Sequence, residues 1–297
     1  MPPLVTIAIP TYNRSATVGR AIDSALAQTH ERLEVLVGDD ESTDGTGELL
    51  AELAGRDARV RVVRRERRLG MVANMDATLR GAQGDYVMLL ADDDWLGPRC
   101  VEYTLAAVQG NGGRGGALGR VAYLRDGEEV AAGQPVALTD PEPAARVRAY
   151  FDAVSEDHGN TWLYALAPRA AIDRLSPLRN VLAFDWLHVA ERLFGGPIAL
   201  VDETLIFRAL GGVSESTARN VRSSGLPAVH AKVPHLVIAR EVLADIGWRS
   251  PVYEPLGVRG RAVLAAACSA AVPRHNARHV LYALLPESVQ ERWRVRG

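Results

Sequence analysis

The stretch "YVMLLADDDWL", residues 86–96, decides the fold. An uncharged run ends abruptly in Asp92, Asp93 and Asp94. A short apolar run closed by turn formers reads as a strand buried on both faces, and such strands belong to parallel sheets covered by helices. Three like charges crowded at its end repel one another, and two readings account for them. Asp forms turns and caps helices, so the run can be turn chemistry. Hard divalent ions take carboxylate oxygens and offset their repulsion, so the run can also be the wall of a cation site.

The same alternation extends outward on both sides. "LVTIAIPTY" (4–12) reads as a buried strand that stops at Pro10. "SATVGRAIDSALAQ" (15–28) sets Val18, Ala21, Ile22, Ala25 and Leu26 on one helical face, with Ser15 as the expected N-cap. "LEVLVG" (33–38) and "VRVV" (60–63) are further strands, and "GELLAELA" (47–54) and "GMVANMDATLRGA" (70–82) are helices. "PRCVEYTLAAVQ" (98–109) adds a helix with Pro98 at its first position. In a parallel sheet, ligands bind at the carboxyl ends of the strands. "PTYNR" (10–14), "GDDESTDGT" (38–46) and "DDDW" (92–95) all follow strands and so fall on that one edge. This coincidence moves the aspartates from turn chemistry toward a site.

Beyond residue 110 the pattern changes. "GNGGRGGALG" (110–119) has no apolar strand leading into it and no clear helix leaving it, so it reads as a flexible connection, not a dinucleotide loop. "RVAYLRDGEEVAAG" (120–133) reads as a hairpin turning at Asp126-Gly127. "PAARVRAYFDAV" (143–154), "RAAIDRLSPL" (169–178) and "FDWLHVAERLFG" (184–195) read as helices, and "PIALVDETLIFRA" (197–209) as one or two strands. From about residue 226 the chain is helical in pattern.

Composition excludes several classes. The 297 residues are 47% hydrophobic and 24% charged with net charge −2, so no basic signature of nucleic-acid binding exists. Two cysteines, Cys100 and Cys268, make a disulfide framework or a Cys-based zinc site improbable. "MPPLVTIAIP" lacks a basic n-region, and no apolar run is long enough to span a bilayer, so a cytoplasmic location is expected. His275 and His279 have i, i+4 spacing but no acidic companion, which favours a surface pair over a zinc site. "RRERR" (64–68) reads as a solvated charge run rather than a phosphate clamp.

Four segments in order, "VTIAIPTYNR" (5–14), "VLVGDDESTDGT" (35–46), "LGMVANMDATLRGAQGDYVMLLADDDWLGP" (69–98) and "FDWLHVAERL" (184–193), resemble the inverting family 2 glycosyltransferases. The resemblance spans roughly residues 1–215. It implies an α/β GT-A fold, a mostly parallel central sheet flanked by helices, with a helical C-terminal extension. Residues 1–115 would be the nucleotide-sugar half, 116–225 the acceptor half of the same domain, and 226–297 the extension. It also implies a nucleotide-diphosphate-sugar donor (a UDP- or dTDP-sugar), a hydroxyl acceptor, and Mn²⁺ or Mg²⁺.

Residue by residue, the resemblance places Pro10, Thr11, Tyr12, Asn13, Asp39 and Asp40 in the nucleoside pocket, with Asp39 as the contact to the base. Asp93 falls at the metal position. Asp92 and Asp94 flank it as contacts to the donor ribose or sugar or, through water, to the metal; Asp92 is assigned to the nucleotide and Asp94 to the metal. Asp185 stands where the family's Glu-Asp pair supplies the catalytic base, and a cap of the following helix is the competing reading. Four positions depart from the pattern: Ala91 for the first aspartate, Glu41 where glycine is frequent, Phe184 for the Glu of the pair, and Leu210 for a histidine two residues after Arg208. The loop "GGVSES" (211–216) resembles a stretch that closes near the donor.

The departures keep a catalytically silent binding module open as an alternative, beside a nucleotidyltransferase. A dinucleotide oxidoreductase or a P-loop enzyme lacks its glycine-rich turn here. The arginine-rich, apolar stretch 256–297 suggests peripheral contact with the inner face of the cell membrane, against simple packing on the domain. Pro273 and Pro286 would break it into short helices.

Overall fold

The computed structural model describes residues 1–125, 127–133, 135–154, 160–210 and 217–284. Strand β1 (Val5–Thr11) is buried almost throughout and pairs in parallel with β2 (Leu33–Asp39) on one side and β4 (Tyr86–Leu89) on the other. β3 (Val60–Arg64) continues the parallel array beyond β2. The first helices are α1 (Val18–Leu26), α2 (Thr46–Arg56) and α3 (Met71–Arg80). α1 buries Val18, Ala21, Ile22 and Ala25, the stripe its 3.6-residue period predicts. Thr11, Asp39 and Leu89 therefore end neighbouring strands on one edge of the sheet.

A second sheet forms beside the first. β5 (Trp95–Leu96), β6 (Gly116–Arg125), β7 (Glu128–Gly133) and β9 (Ile198–Ala209) lie in the order β5-β9-β6-β7, with β6 parallel to β9 and the other pairs antiparallel. Helix α4 (Cys100–Gly110) precedes β6, and α5 (Pro143–Ala153) follows the hairpin. Two-residue β8 (Ala167–Pro168) adds antiparallel to β4 and completes the first sheet, and α6 (Arg169–Ile172) comes next. Helix α7 (Phe184–Gly195) matches its expected bounds. Helices α8 (Thr217–Ser223), α9 (Val229–Lys232), α10 (Pro234–Ala244) and α11 (Gly257–Leu284) form the C-terminal part.

Several expectations are corrected. Ser15 does not cap α1: the N-cap is Thr17, and the Ser15 hydroxyl donates to Asp44 instead, at 3.1 Å. Pro98 lies before the N-cap Arg99 of α4, not inside the helix. The glycine-rich stretch is not a simple flexible link. Gly116–Gly119 are strand residues, buried in the second sheet. Gly115 sits at φ +73°, and a Cβ there would fall 1.8 Å from the Pro197 carbonyl oxygen, so only glycine lets β6 start against β9. "RAAIDRLSPL" is helical only over Arg169–Ile172, and Pro273 lies inside α11 without ending it. The hairpin turns where expected, with Gly127 at φ +86°; Asp126 and Pro286 lie outside the described residues, as do the side chains of His275 and His279. Cys100 and Cys268 are buried and free.

Candidate active site

The edge where β1, β2 and β4 end is built by carboxylates that the sequence cannot tell apart. At the end of β2, Asp40 spends both oxygens on backbone amides: Leu69 N–H at 2.7 Å and Gly70 N–H at 2.9 Å. It thereby ties the loop before α3 to the strand. Its neighbour Asp39 is fully buried. Asp39 Oδ1 accepts Ser42 N–H at 3.1 Å, but Oδ2 finds no hydrogen-bond partner among the described residues, with Arg64 Nε 3.7 Å away. A buried, unspent acceptor costs free energy unless a ligand or water satisfies it.

Asn13 is bonded to the loop that follows this carboxylate pair. Asn13 adopts φ +53°, its N–H donates to Ser42 Oγ at 2.8 Å, and its Oδ1 accepts Thr43 N–H at 2.8 Å. The Tyr12 ring carries the Arg68 guanidinium 4.0 Å from its centroid. Glu41 is held at φ +66°, the left-handed region that favours glycine, and its Oε2 accepts Arg68 N–H at 2.8 Å. The charge run 64–68 is thus only partly solvated. Arg65 Nε donates to Asn74 Oδ1 at 3.1 Å, and Arg64 reaches Ser42 O at 2.9 Å.

At the end of β4 the three aspartates part company. Asp94 is buried, and its oxygens take three donors: Tyr164 Oη at 2.5 Å, Arg208 Nε at 3.2 Å and Ala209 N–H at 3.1 Å. Asp92 accepts Arg14 Nε at 3.3 Å. Burial pushes the carboxyls of Asp92 and Asp94 up to about 6, and the adjacent Asp93 charge adds to the rise. Asp93 itself is half-buried, and its carboxylate has no hydrogen bond or ion pair among the described residues. Its carbonyl accepts Arg20 Nη2 at 2.7 Å, while that guanidinium lies over the Trp95 ring at 3.9 Å.

Asp185 enters from α7, in the first turn after Ala183, which is held at φ +60°. Asn160 Nδ2 donates to Asp185 Oδ2 at 3.0 Å, and Tyr150 Oη donates to Asn160 Oδ1 at 2.9 Å. Burial raises the Asp185 carboxyl. The Asn160 amide, the amides of the helix start and the Arg208 charge oppose the rise. Arg208, from β9, is the ion-pair partner of Asp94. Asn160, Tyr164, Arg14 and Arg20 had not been singled out from the sequence. Arg14 carried a signal, since it lies in the quoted loop on the acidic edge; Tyr164 and Asn160 carried none. Residues 211–216 lie outside the described residues.

A family model described as glycosyl transferase family 2 matches residues 6–164, more than half of the chain. The chain belongs to this family. Within glycosyl transferase family 2, chondroitin synthase of Pasteurella multocida strain Pm70 is 41% identical over 103 residues, covering 35% of this chain and 11% of that protein. The putative teichuronic acid biosynthesis glycosyltransferase TuaG of Bacillus subtilis is 37% identical over 94 residues, covering 31% of this chain and 37% of that protein. The chain thus spans well under half the length of these relatives. The structure of S. aureus TarS residues 1–349 in complex with UDP superposes with a TM-score of 0.61 at 16% identity, covering 98% of this chain and 78% of that one. The same TarS portion in complex with UDP-GlcNAc gives 0.55 at 17% identity, over 92% and 83%. At such identity the likeness is one of fold, and the fold is GT-A.

Proposed function

We propose that this family member is a metal-dependent, inverting glycosyltransferase that moves a sugar from a UDP- or dTDP-sugar to an acceptor hydroxyl. The observation that carries the reading is the acidic end of β4, where Asp94 is bonded to Tyr164, Arg208 and Ala209 while the Asp93 carboxylate beside it stays open. Asp39 Oδ2, buried and without a hydrogen bond, suits the N–H of a pyrimidine base, and Pro10, Thr11, Tyr12 and Asn13 are assigned to the same pocket. Asp92, bonded to Arg14 and next to Asp93, is assigned to the donor nucleotide. Asp40 acts by fixing the loop rather than by touching the nucleotide.

Among the described residues no set of three His, Cys, Asp or Glu side chains is arranged to hold a metal ion. The donor set still fits Mn²⁺ or Mg²⁺. Mg²⁺ is commonly held by one or two carboxylates plus substrate phosphates and water, and Asp93 offers an open hard-oxygen ligand on a negative edge. Asp93 is the ligand, and Asp94, whose oxygens are already engaged, orients the turn that presents it. A bound divalent ion would supply charge stabilisation for the departing diphosphate.

Asp185 takes the acceptor proton. Burial lifts its carboxyl toward the working pH, and Asn160 fixes which oxygen faces the acceptor. A panel of nucleotide-sugars with Mn²⁺ tests the reading: UDP or dTDP release should occur with one donor, and NMR of the product should show the inverted anomer. A retained anomer excludes Asp185 as the base of a direct displacement. Binding without turnover, in the presence of acceptors, favours the silent module.

The C-terminal helices are further proposed to touch an anionic membrane surface. Leu236, Leu243, Trp248, Val258 and Val263 are exposed, beside exposed Lys232, Arg240 and Arg259. Arg261 instead turns inward, to the Ile246 and Ser250 carbonyls. No described helix is long and apolar enough to cross a membrane. Sedimentation with anionic but not neutral vesicles, weakened by Trp248→Ser, is expected; no sedimentation at low salt rejects the contact.

A further inference from the structure

The segment from Leu175 to Ala183 delivers the chain to Asp185 without regular structure, yet it is bonded on two sides. On the catalytic-domain side, Arg80 Nη2 donates to Leu175 O at 3.1 Å and Leu178 N–H to Asp76 Oδ1 at 3.0 Å. Ser176 N–H donates to Glu191 Oε2, on α7, at 2.8 Å. On the other side, three bonds come from beyond residue 216. Arg179 Nη2 pairs with Asp245 Oδ1, Asn180 Nδ2 donates to Ser224 O at 2.8 Å, and the hydroxyls of Ser176 and Ser250 lie 3.2 Å apart.

The segment ends at Ala183, whose φ of +60° is one that side-chain-bearing residues rarely adopt. Such a conformation persists only where the surroundings over-determine it. The Arg179–Asp245 pair is a poor stabiliser in its own right. Asp245 is buried, and Arg179 Nε and Asp245 Oδ2 are both buried without a hydrogen-bond partner among the described residues. An ion pair whose carboxylate is buried and incompletely bonded, with a half-buried arginine, does not repay its desolvation well. What it supplies is direction, a fixed vector from the C-terminal segment to the loop. Around Asp245 stand Arg179 from the loop, Glu191 from α7, Arg249 from its own segment, itself bonded to Glu241 at 2.6 Å, and Tyr253 from the next turn.

We propose that Arg179 and Asp245 are a positioning pair: through their ion pair the C-terminal segment holds the Leu175–Ala183 approach so that Ala183 stays left-handed and Asp185 is presented to the site. The catalytic half of this inference rests on Asp185 being the base; the structural half does not. The C-terminal extension is on this view part of the catalytic device.

The test is the full chain carrying Arg179→Met and Asp245→Leu together. Removing both charges at once leaves neither stranded, so the fold is expected to survive with its thermal midpoint unchanged or raised. Hydrogen exchange of amides 181–187 should nevertheless become at least about tenfold faster, while β1, β2 and β4 keep their protection. UDP affinity in Mn²⁺ should not change, and UDP release from UDP-GlcNAc, used as the probe donor, should fall about ten- to 10²-fold, the cost of a small misplacement of a reacting group. Unchanged exchange over 181–187 overturns the proposal. Arg179→Lys, which keeps the charge and loses the planar fork, should give an intermediate exchange rate and decides the matter if the double variant does not fold. Asp185→Asn run alongside separates the two readings: if it retains full turnover, the base assignment falls while the exchange result still judges the tether.

Discussion

The acidic ends of β2 and β4 follow one local logic and depend on different parts of the chain. In each, one carboxylate is fully engaged and holds a turn, and a neighbour keeps an open oxygen. At β2 the engaged residue is Asp40 and the open one is Asp39; at β4 they are Asp94 and Asp93. The partners differ. Asp40 is satisfied by neutral backbone amides of Leu69 and Gly70, only about 30 residues away and inside the same half. Asp94 is satisfied by Tyr164, Arg208 and Ala209, which lie 70, 114 and 115 residues later. The β2 end is thus built by the first half alone, whereas the β4 end is completed only when later segments of the chain dock.

The comparison breaks first at Asp93. If it is the open ligand of the β4 end, Asp93→Asn should cost about 10³-fold or more in kcat, since charge stabilisation by a bound metal is worth several kcal/mol. The thermal midpoint should stay within a degree or two of the wild type. Turnover in EDTA equal to that with Mn²⁺ would contradict the assignment.

Asp94→Ala should behave in the opposite way. It removes the carboxylate that the Tyr164 hydroxyl, Arg208 Nε and the Ala209 amide all bond, so a loss of about 1–3 kcal/mol or more in urea unfolding is expected. A loss below about 1 kcal/mol would show that the β4 end does not depend on the second sheet.

Asp185 extends the comparison to a carboxylate outside either run. Asp185→Asn should lower kcat about 10²–10³-fold with donor affinity unchanged. The wild-type pH profile supplies the sign. A base works deprotonated, and burial raises this carboxyl, so kcat/KM should fall as pH drops through a value above the ordinary carboxyl range. The limb should vanish in Asp185→Asn; a limb that persists belongs to another group.

Asp40→Ala removes two hydrogen bonds from neutral amides to a carboxylate and should cost about 1–3 kcal/mol, with donor KM rising as the loop before α3 loosens. The smallest effect is expected at Ala183→Gly. Glycine relieves the left-handed strain but loses more backbone entropy on folding, so the net change in unfolding free energy should lie within about 1 kcal/mol. A loss of more than about 2 kcal/mol would show that the Ala183 methyl group packs as an essential contact.

Much of the first half was legible in the sequence because it is governed by local rules. Near-continuous apolar runs gave β1, β2 and β4, and the period of α1 gave its buried stripe. Their alternation implied a parallel array, which puts the three polar loops on one edge before any contact is known. Helix α7 was legible for the same reason. Caps were less so, because Ser15 and Thr17 are both able, and the choice fell to Asp44, a partner 29 residues distant that takes the Ser15 hydroxyl.

What the sequence determined by itself was therefore the alternation of strands and helices in the first half, its parallel array, and the residue types gathered on one edge of it. Which aspartate of each run anchors and which stays open was decided only by tertiary structure. Identical side chains on adjacent residues differ by the donors that distant segments bring to them, and no local period encodes a Tyr164 hydroxyl or an Arg208 guanidinium. The entry to β6 at Gly115 and Gly116 differs from its sequence reading for the same reason. Gly115 and Gly116 look flexible until Pro197 and Leu166 are placed against them, and then the missing Cβ is a condition of close approach.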